Sequence, residues 1–262
     1  MKEKFFIIRN NHKDFNNLWE TFIKKNMNVG PFYNSLFITQ MLERGRSKIR
    51  SSDYYAKDQS FIIKNHENIM SIVPLVLEHN NGQNFLSTGL GFNTFYSPLI
   101  SNKINVNESN KLRDHIFKII DEIAIKKNVK KSYFSIDPIN FFKKENEYFN
   151  YLQKYDYYDV SIQTSILELE KNISEIKKNI RKSYIQLINR GLDLFTFKVF
   201  DNNNINKIDF EKYVSLHEKS AGFKTRSNKS FDVQYNAIKK KLATLIFTEY
   251  KNKIININYY YH

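Results

Sequence analysis

The sequence predicts an α/β (α+β) protein made of two mixed-sheet domains in tandem, over residues 1–160 and 161–262, with the second incomplete. Apolar residues switch repeatedly between strand spacing and helix spacing along the 262 residues, which implies sheets with helices packed on their faces. The first half reads strand, helix, helix, strand, strand, strand, helix, strand. The second reads strand, helix, helix, strand, strand and stops at Tyr259-Tyr260-Tyr261-His262. With 41% hydrophobic and 15% aromatic residues, the chain has ample material for a core.

In the first half, residues 4–9 (KFFIIR) predict a strand, and Asp14 caps a helix with Phe15, Leu18, Trp19, Phe22 and Ile23 on one face. Gly30-Pro31 breaks it. Asn34 or Ser35 opens a second helix through Leu36, Met41 and Leu42 to Gly45, and the basic run 44–53 reads as a loop. Strands follow at 60–64 and 69–77, with Pro74 demanding an edge or bulge position. Asn80-Asn81-Gly82 turns into a short strand at 84–87, and a long loop covers residues 87–107. Residues 108–128 then predict a helix carrying Leu112, Ile116, Ile119, Ile120 and Ile123, and residues 131–136 a strand.

Residues 141–158 are aromatic, charged and partly helical in pattern, and 160–169 alternate as a strand. Residues 172–191 predict a single amphipathic helix. Asn172 and Glu175 form its capping box, and Gly191 stands where a left-handed C-cap would end it. Ile173, Ile176, Ile180, Tyr184, Leu187 and Ile188 line one face, and Lys177, Lys178, Arg181 and Lys182 the other, with Ile185 among the cations. This helix is expected to pack between the two halves with its apolar face buried. Beyond it come a strand at 194–200, a helix at 209–221 ending at Gly222, and a helix from Ser230. A hairpin at 243–250 and 254–261 closes the sequence.

The absence of cysteine excludes disulfides, thiolate metal sites and cysteine nucleophiles. The six histidines form no metal-ligand cluster, so no metal is expected, and neither a G-x-x-x-x-G-K-[ST] loop nor a G-x-S-x-G elbow occurs. The N-terminus has too short an apolar run for a signal peptide, and nothing approaches a transmembrane span, so a cytoplasmic location is expected. The formal charge of +14 favours a polyanionic partner. A composition rich in Asn, Lys, Ile and Tyr accounts for part of that lysine excess.

The order strand-helix-helix-strand-strand-strand-helix-strand is that of the GNAT acyltransferase fold, and two such domains in tandem resemble the FemAB-like transferases. The segment 216–234, LHEKSAGFKTRSNKSFDVQ, carries the most specific resemblance. It presents Leu216-His217, Lys219, Ala221-Gly222, Thr225-Arg226-Ser227, Phe231-Asp232 and Gln234 in the family's order. Residues 180–184 (IRKSY), with Ile188 and Asn189, resemble the element that precedes the second domain. The resemblance implies transfer of an acetyl, acyl or aminoacyl group onto an amine of a cell-envelope precursor or sugar. It also implies acyl-CoA or aminoacyl-tRNA as donor, which makes tRNA a further partner. In GNAT domains the donor's phosphates sit on backbone N–H groups after the fourth strand. In the second half that region would lie beyond His262, and the first half offers only Gly89-Leu90-Gly91. The 262-residue chain is therefore expected to be an incomplete enzyme, poorly soluble or self-associating.

Five residues are the expected substrate-binding set: His217, Thr225, Arg226, Gln234 and Arg181; no catalytic residue is assigned. Arg226 between two hydroxyl side chains suits recognition of a carboxylate or phosphate, and is expected to border a cleft near His217 and the cationic helix. His217 shares a helical face with Phe210, Val214 and Ala221, which suits a partly buried histidine as well as a substrate contact. Gln234 would orient a substrate amide or tie down the loop. Asp232 reads as a first-turn carboxylate, and Tyr96-Ser97-Pro98 as loop packing or cleft lining. The competing function is a non-catalytic basic module that binds nucleic acid or an anionic surface.

Overall fold

The computed structural model describes residues 5–26, 29–45, 53–66, 68–87, 98–136, 150–160 and 172–262. It is a mixed α/β protein with three sheets among the described residues. The first half runs β1 (Phe6–Arg9), α1 (Phe15–Lys25), a 3-10 turn, α2 (Ser35–Gly45), β2 (Tyr55–Asp58), β3 (Phe61–Lys64), β4 (Ile69–Val73), β5 (Val76–Asn80), β6 (Gln83–Ser87), β7 (Leu99–Ile100), α3 (Val106–Lys126) and β8 (Val129–Tyr133). Sheet orders are β1-β3-β4-β7 and β2-β5-β6-β8. All pairings are antiparallel except β6 with β8, which α3 joins as a crossover.

Pro74 explains why there are two sheets here. The expected strand at 69–77 is split into β4 and β5, and the long hairpin passes from one sheet to the other at that point. Ser60 marks the same break on the facing strand. Its hydroxyl accepts from Leu75 N–H at 3.1 Å, and Gln59 N–H donates to the Leu75 carbonyl at 2.8 Å. The sequence reading missed β2, which lies just past the basic loop, and the two-residue β7.

Successive residues of β3 face opposite layers. Ile62, with Ile72 and Val76, packs under Phe15, Trp19 and Phe22 of α1 and Phe37, Ile38 and Met41 of α2. Phe61 and Ile63 pack with Leu75, Leu77 and Leu86 under Leu112, Ile116, Phe117 and Ile120 of α3. The Trp19 indole donates to the Tyr33 carbonyl at 2.7 Å. Asp14 precedes α1 but makes no side-chain cap. Asn34 does cap α2, by accepting from Leu36 N–H at 2.9 Å. Helix α3 starts two residues earlier than expected because Asn105 and Glu108 form a reciprocal capping box.

The second half runs α4 (Ile173–Lys178), α5 (Lys182–Leu194), β9 (Thr196–Phe200), α6 (Lys207–Ala221), α7 (Asn228–Lys239), β10 (Ala243–Tyr250) and β11 (Lys253–Tyr261). Its sheet, in order β11-β10-β9, is antiparallel throughout. The C-terminal hairpin therefore joins β9 and not a sheet of the first half. Lys251 and Asn252 turn it with φ of 48° and 60°. Phe210 and Tyr213 of α6 and Phe231, Ala237 and Ile238 of α7 cover Leu245 and Phe247 on one face of the sheet.

The single helix expected at 172–191 is two helices, broken at Asn179–Arg181. Gly191 does not cap: α5 runs through it to Leu194. The expectation of a buried apolar face between the halves fails as well, since neither α4 nor α5 has a buried residue. Asn179 and the β-branched Ile173, Ile176 and Ile180 are weak helix formers. Without a packed face nothing compensates for them across the break. Within α5, Ile185 is half-buried and so belongs to the inward side rather than to a cationic face. The expected strand at 160–169 lies outside the described residues except for Val160. Of 141–158, only 150–158 are described, with a 3-10 turn at Tyr151–Tyr155.

The halves meet where α2 packs on α7. Lys229 Nζ lies 3.3 Å from the buried Glu43 carboxylate. Tyr261, at the end of β11, stands edge-on to Phe37 with ring centres 5.0 Å apart.

Candidate functional site

The residues at 216–234 come together because α6, a tight turn and α7 fold back as a helical hairpin. Asn206 caps α6, its side chain accepting from Asp209 N–H at 2.9 Å. The helix ends at Gly222, whose φ of +76° is a left-handed conformation that favours glycine. Five residues later Ser227 caps α7, accepting from Ser230 N–H at 3.1 Å. This returns Thr225 and Arg226 to the last turns of α6.

His217 Nε2 lies 2.6 Å from the Thr225 hydroxyl, and the imidazole stands edge-on to Phe231 at 5.6 Å. The Arg226 guanidinium lies 6.0 Å from the same Phe231 ring, and no carboxylate among the described residues pairs with it. Beneath them Gln234 is only 3% exposed. Its side-chain oxygen accepts from the Tyr213 hydroxyl at 3.3 Å, while its backbone carbonyl accepts from Tyr259 OH at 3.0 Å. The Tyr213 and Tyr259 rings stack at 6.1 Å. Burial holds the Tyr259 phenol well above the usual range, helped by the neighbouring Tyr261 and Tyr213 phenols and opposed by the Arg226 charge. Tyr259 is therefore a neutral hydrogen-bond donor at physiological pH.

Four of the five expected residues thus gather, in two layers. His217, Thr225 and Arg226 are half-buried at the surface, and Gln234 lies below as a tie. Arg181 stands apart. It occupies the exposed N-cap position of α5 and shares no hydrogen bond or ion pair with the others among the described residues. Asp232 is not in the first turn, because α7 begins at Asn228; it pairs with Lys207 of α6 at 3.4 Å. The concavity of about 430 Å³ on this half lies along another stripe of α6, lined by Ile208, Glu211, Lys212, Ser215, Leu216 and Lys219 with Ile254. Arg226 and His217 are not among its walls. Tyr96 and Ser97, with Gly89 and Gly91, lie outside the described residues.

Sequence reasoning missed Tyr213 and Tyr259 as site members. Tyr213 was legible one turn before His217, whereas Tyr259 arrives only through strand pairing. It also missed a buried carboxylate in the first half. Glu78 on β5 accepts from Tyr54 OH at 3.1 Å and from Ser87 Oγ. Beside it His79 stacks on Tyr55 at 4.9 Å and lies 2.7 Å from Asn84. Among the described residues no group of His, Asp and Glu is placed to hold a metal ion, and no helix is long and apolar enough to cross a membrane.

No family model and no curated protein matches this sequence. Among solved structures the fold is similar to a chain described as "Crystal structure of FemX", with a TM-score of 0.48 and 14% identity. The match covers 89% of this chain and 56% of that one, so the chain spans little more than half the length of the solved protein it resembles.

Proposed function

We propose that this chain is a FemAB-like transferase that places an acetyl, acyl or aminoacyl group on an amine of a cell-envelope precursor or sugar. The observation that supports the reading is the half-buried Arg226, without a carboxylate partner among the described residues, beside the His217–Thr225 pair. These are residues of the 216–234 segment that resembles the family. A guanidinium held on an aromatic ring offers a two-pronged fork to a carboxylate or phosphate of the acceptor. Thr225 and His217 supply polar groups next to it, and Tyr213 and Tyr259 fix the floor through Gln234. In such a reaction the bound amine attacks the activated carbonyl, its bond to nitrogen forms, and the thiol or tRNA hydroxyl leaves with a proton. Most of the acceleration comes from positioning. The donor in this reading is acyl-CoA or aminoacyl-tRNA, both polyanions that suit a chain of net charge +14.

The experiment measures binding of an amine-bearing, phosphorylated envelope precursor by calorimetry, with labelled acyl thioester or aminoacyl-tRNA added to follow transfer. Arg226→Lys is expected to weaken precursor binding about tenfold, the loss of one charge-assisted bond. Asp232→Asn, at a residue engaged elsewhere, should leave binding unchanged. Undiminished binding in Arg226→Lys would remove Arg226 from the site. Salt-steep binding of any nucleic acid duplex, without precursor binding or transfer, would replace the reading with a basic binding module.

A further inference from the structure

We infer that residues 173–199 form a docking surface for an anionic lipid bilayer, separate from the His217–Arg226 cluster and independent of the transfer reading. Helix α5 leaves Tyr184, Leu187, Ile188, Leu192 and Leu194 in solvent, with Leu187 61% exposed. The chain continues directly into β9, where Phe197 and Val199 are also about half exposed. On that face of the sheet they stand opposite Thr248 and Ile246 of β10. Seven large apolar side chains exposed between Tyr184 and Val199 mark an interaction site rather than ordinary surface.

Charge and side-chain chemistry select the occupant. Lys177, Lys178, Arg181, Lys182 and Arg190 are all exposed, against two acids, Glu175 and Asp193, over residues 172–194. None of the five cations is in an ion pair among the described residues. A second copy of a chain with charge +14 would bring these cations against more cations. Nucleic acid would satisfy the cations but leave most of Leu187, Ile188, Leu192, Leu194 and Val199 in water, because its surface is dominated by phosphate and sugar and only isolated apolar side chains reach base edges. An anionic bilayer satisfies both. The apolar arc of α5 enters the boundary between headgroups and acyl chains, and the lysines and arginines meet lipid phosphates. Within α5, Lys182, Gln186, Asn189 and Asp193 fall on the side opposite Leu187 and Tyr184, and Arg190 flanks the apolar arc one turn after Leu187, the arrangement an interfacial helix needs.

Flotation with vesicles tests the inference on the 262-residue chain. Vesicles of phosphatidylcholine mixed with phosphatidylglycerol should carry the protein, and phosphatidylcholine alone should carry far less. The triple variant Lys177→Gln/Lys178→Gln/Lys182→Gln is expected to weaken binding at least about tenfold. Leu187→Gln/Leu192→Gln should weaken it comparably. All five positions are exposed, so circular dichroism and the melting transition should stay as in the parent protein. Tyr184→Trp should show a blue-shifted emission increment on anionic vesicles, above the constant signal of the buried Trp19. Four results would overturn the inference: equal binding to neutral and anionic vesicles, binding unaffected by either set of substitutions, tighter binding to duplex DNA than to vesicles, or a dimer that Leu187→Gln/Leu192→Gln dissolves without any vesicle binding.

Discussion

Thr225 has two neighbours whose behaviour depends on it: the imidazole at 2.6 Å and the arginine that follows it in the chain. Replacing it with valine keeps the shape but removes the hydroxyl facing a half-buried ring nitrogen. Thr225→Val is therefore expected to lower stability by about 1–3 kcal/mol in urea unfolding, while Thr225→Ser recovers most of that. Equal losses in both would mean that the methyl group and not the hydroxyl matters. Asp209 makes a pH-dependent contribution. Its carboxylate is held below the ordinary range, chiefly by the bond from Lys212 and further by Asn206, against the opposing effect of burial. A lowered folded-state pKa means that the stabilisation is complete above the unfolded value near pH 4 and fades as pH falls through the lower folded value. Asp209→Asn should thus reduce stability at neutral pH and flatten its decline under acid. A decline as steep as the parent's would place the acid sensitivity elsewhere. The site was readable at this scale because His217, Thr225, Arg226 and Gln234 sit within eighteen residues of one another, where helix periodicity and a glycine stop fix the geometry. Tyr259 was not readable, since its approach to Gln234 depends on the register of β11.

Elements were legible where local chemistry decides them and illegible where packing does. Gly222 illustrates the first case. Its left-handed φ ends α6, and an added Cβ would meet nothing within 4 Å, so the cost of alanine there is one of backbone conformation alone. Gly222→Ala should destabilise by about 1 kcal/mol, and Gly222→Asn by less, because asparagine tolerates this conformation. A neutral Gly222→Ala would show that the cap relaxes. The helix at 172–191 illustrates the second case. Its apolar spacing is helical, yet spacing says nothing about which side turns inward or whether a face finds a partner: Ile185, read among the cations, is the half-buried one, and α4 and α5 break where no partner is found. Pro74 lies between these cases. The sequence marked an irregular position, but only the Leu75–Ser60 bond shows that the hairpin changes sheets there. Ser60 is 1% exposed, so Ser60→Ala leaves the Leu75 N–H buried and unpaired. A loss of about 1–3 kcal/mol in equilibrium unfolding is expected, whereas a negligible loss would mean that the switch is held by Gln59 alone.

At the scale of the whole molecule, the connection between the halves is narrow and specific. The sequence order gave two similar layouts of elements, but nothing in it announced that α2 would pack on α7 or that Tyr261 would reach the α1–α2 core. These are long-range contacts between side chains that look ordinary in their own segments. Phe37 is the pivot. It is 7% exposed, packs with Phe32 at 4.9 Å, and receives the Tyr261 ring at 5.0 Å from the last strand of the other half. Lys229 is exposed while its partner Glu43 is buried, so this 3.3 Å ion pair is open to solvent on one side only. The aromatic crossing is the contact that reaches from the last strand into the first-half core. Tyr261→Ala removes the crossing ring from the edge of the first-half core but leaves the buried residues of that core in place, whereas Phe37→Ala opens a cavity within it costing about 3–5 kcal/mol. In the parent protein the halves should unfold in one transition. Tyr261→Ala should split it, with fluorescence of Trp19, which reports only the first half, no longer coinciding with circular dichroism. A single coincident transition in Tyr261→Ala, shifted only in midpoint, would show that the halves are joined by more than this ring.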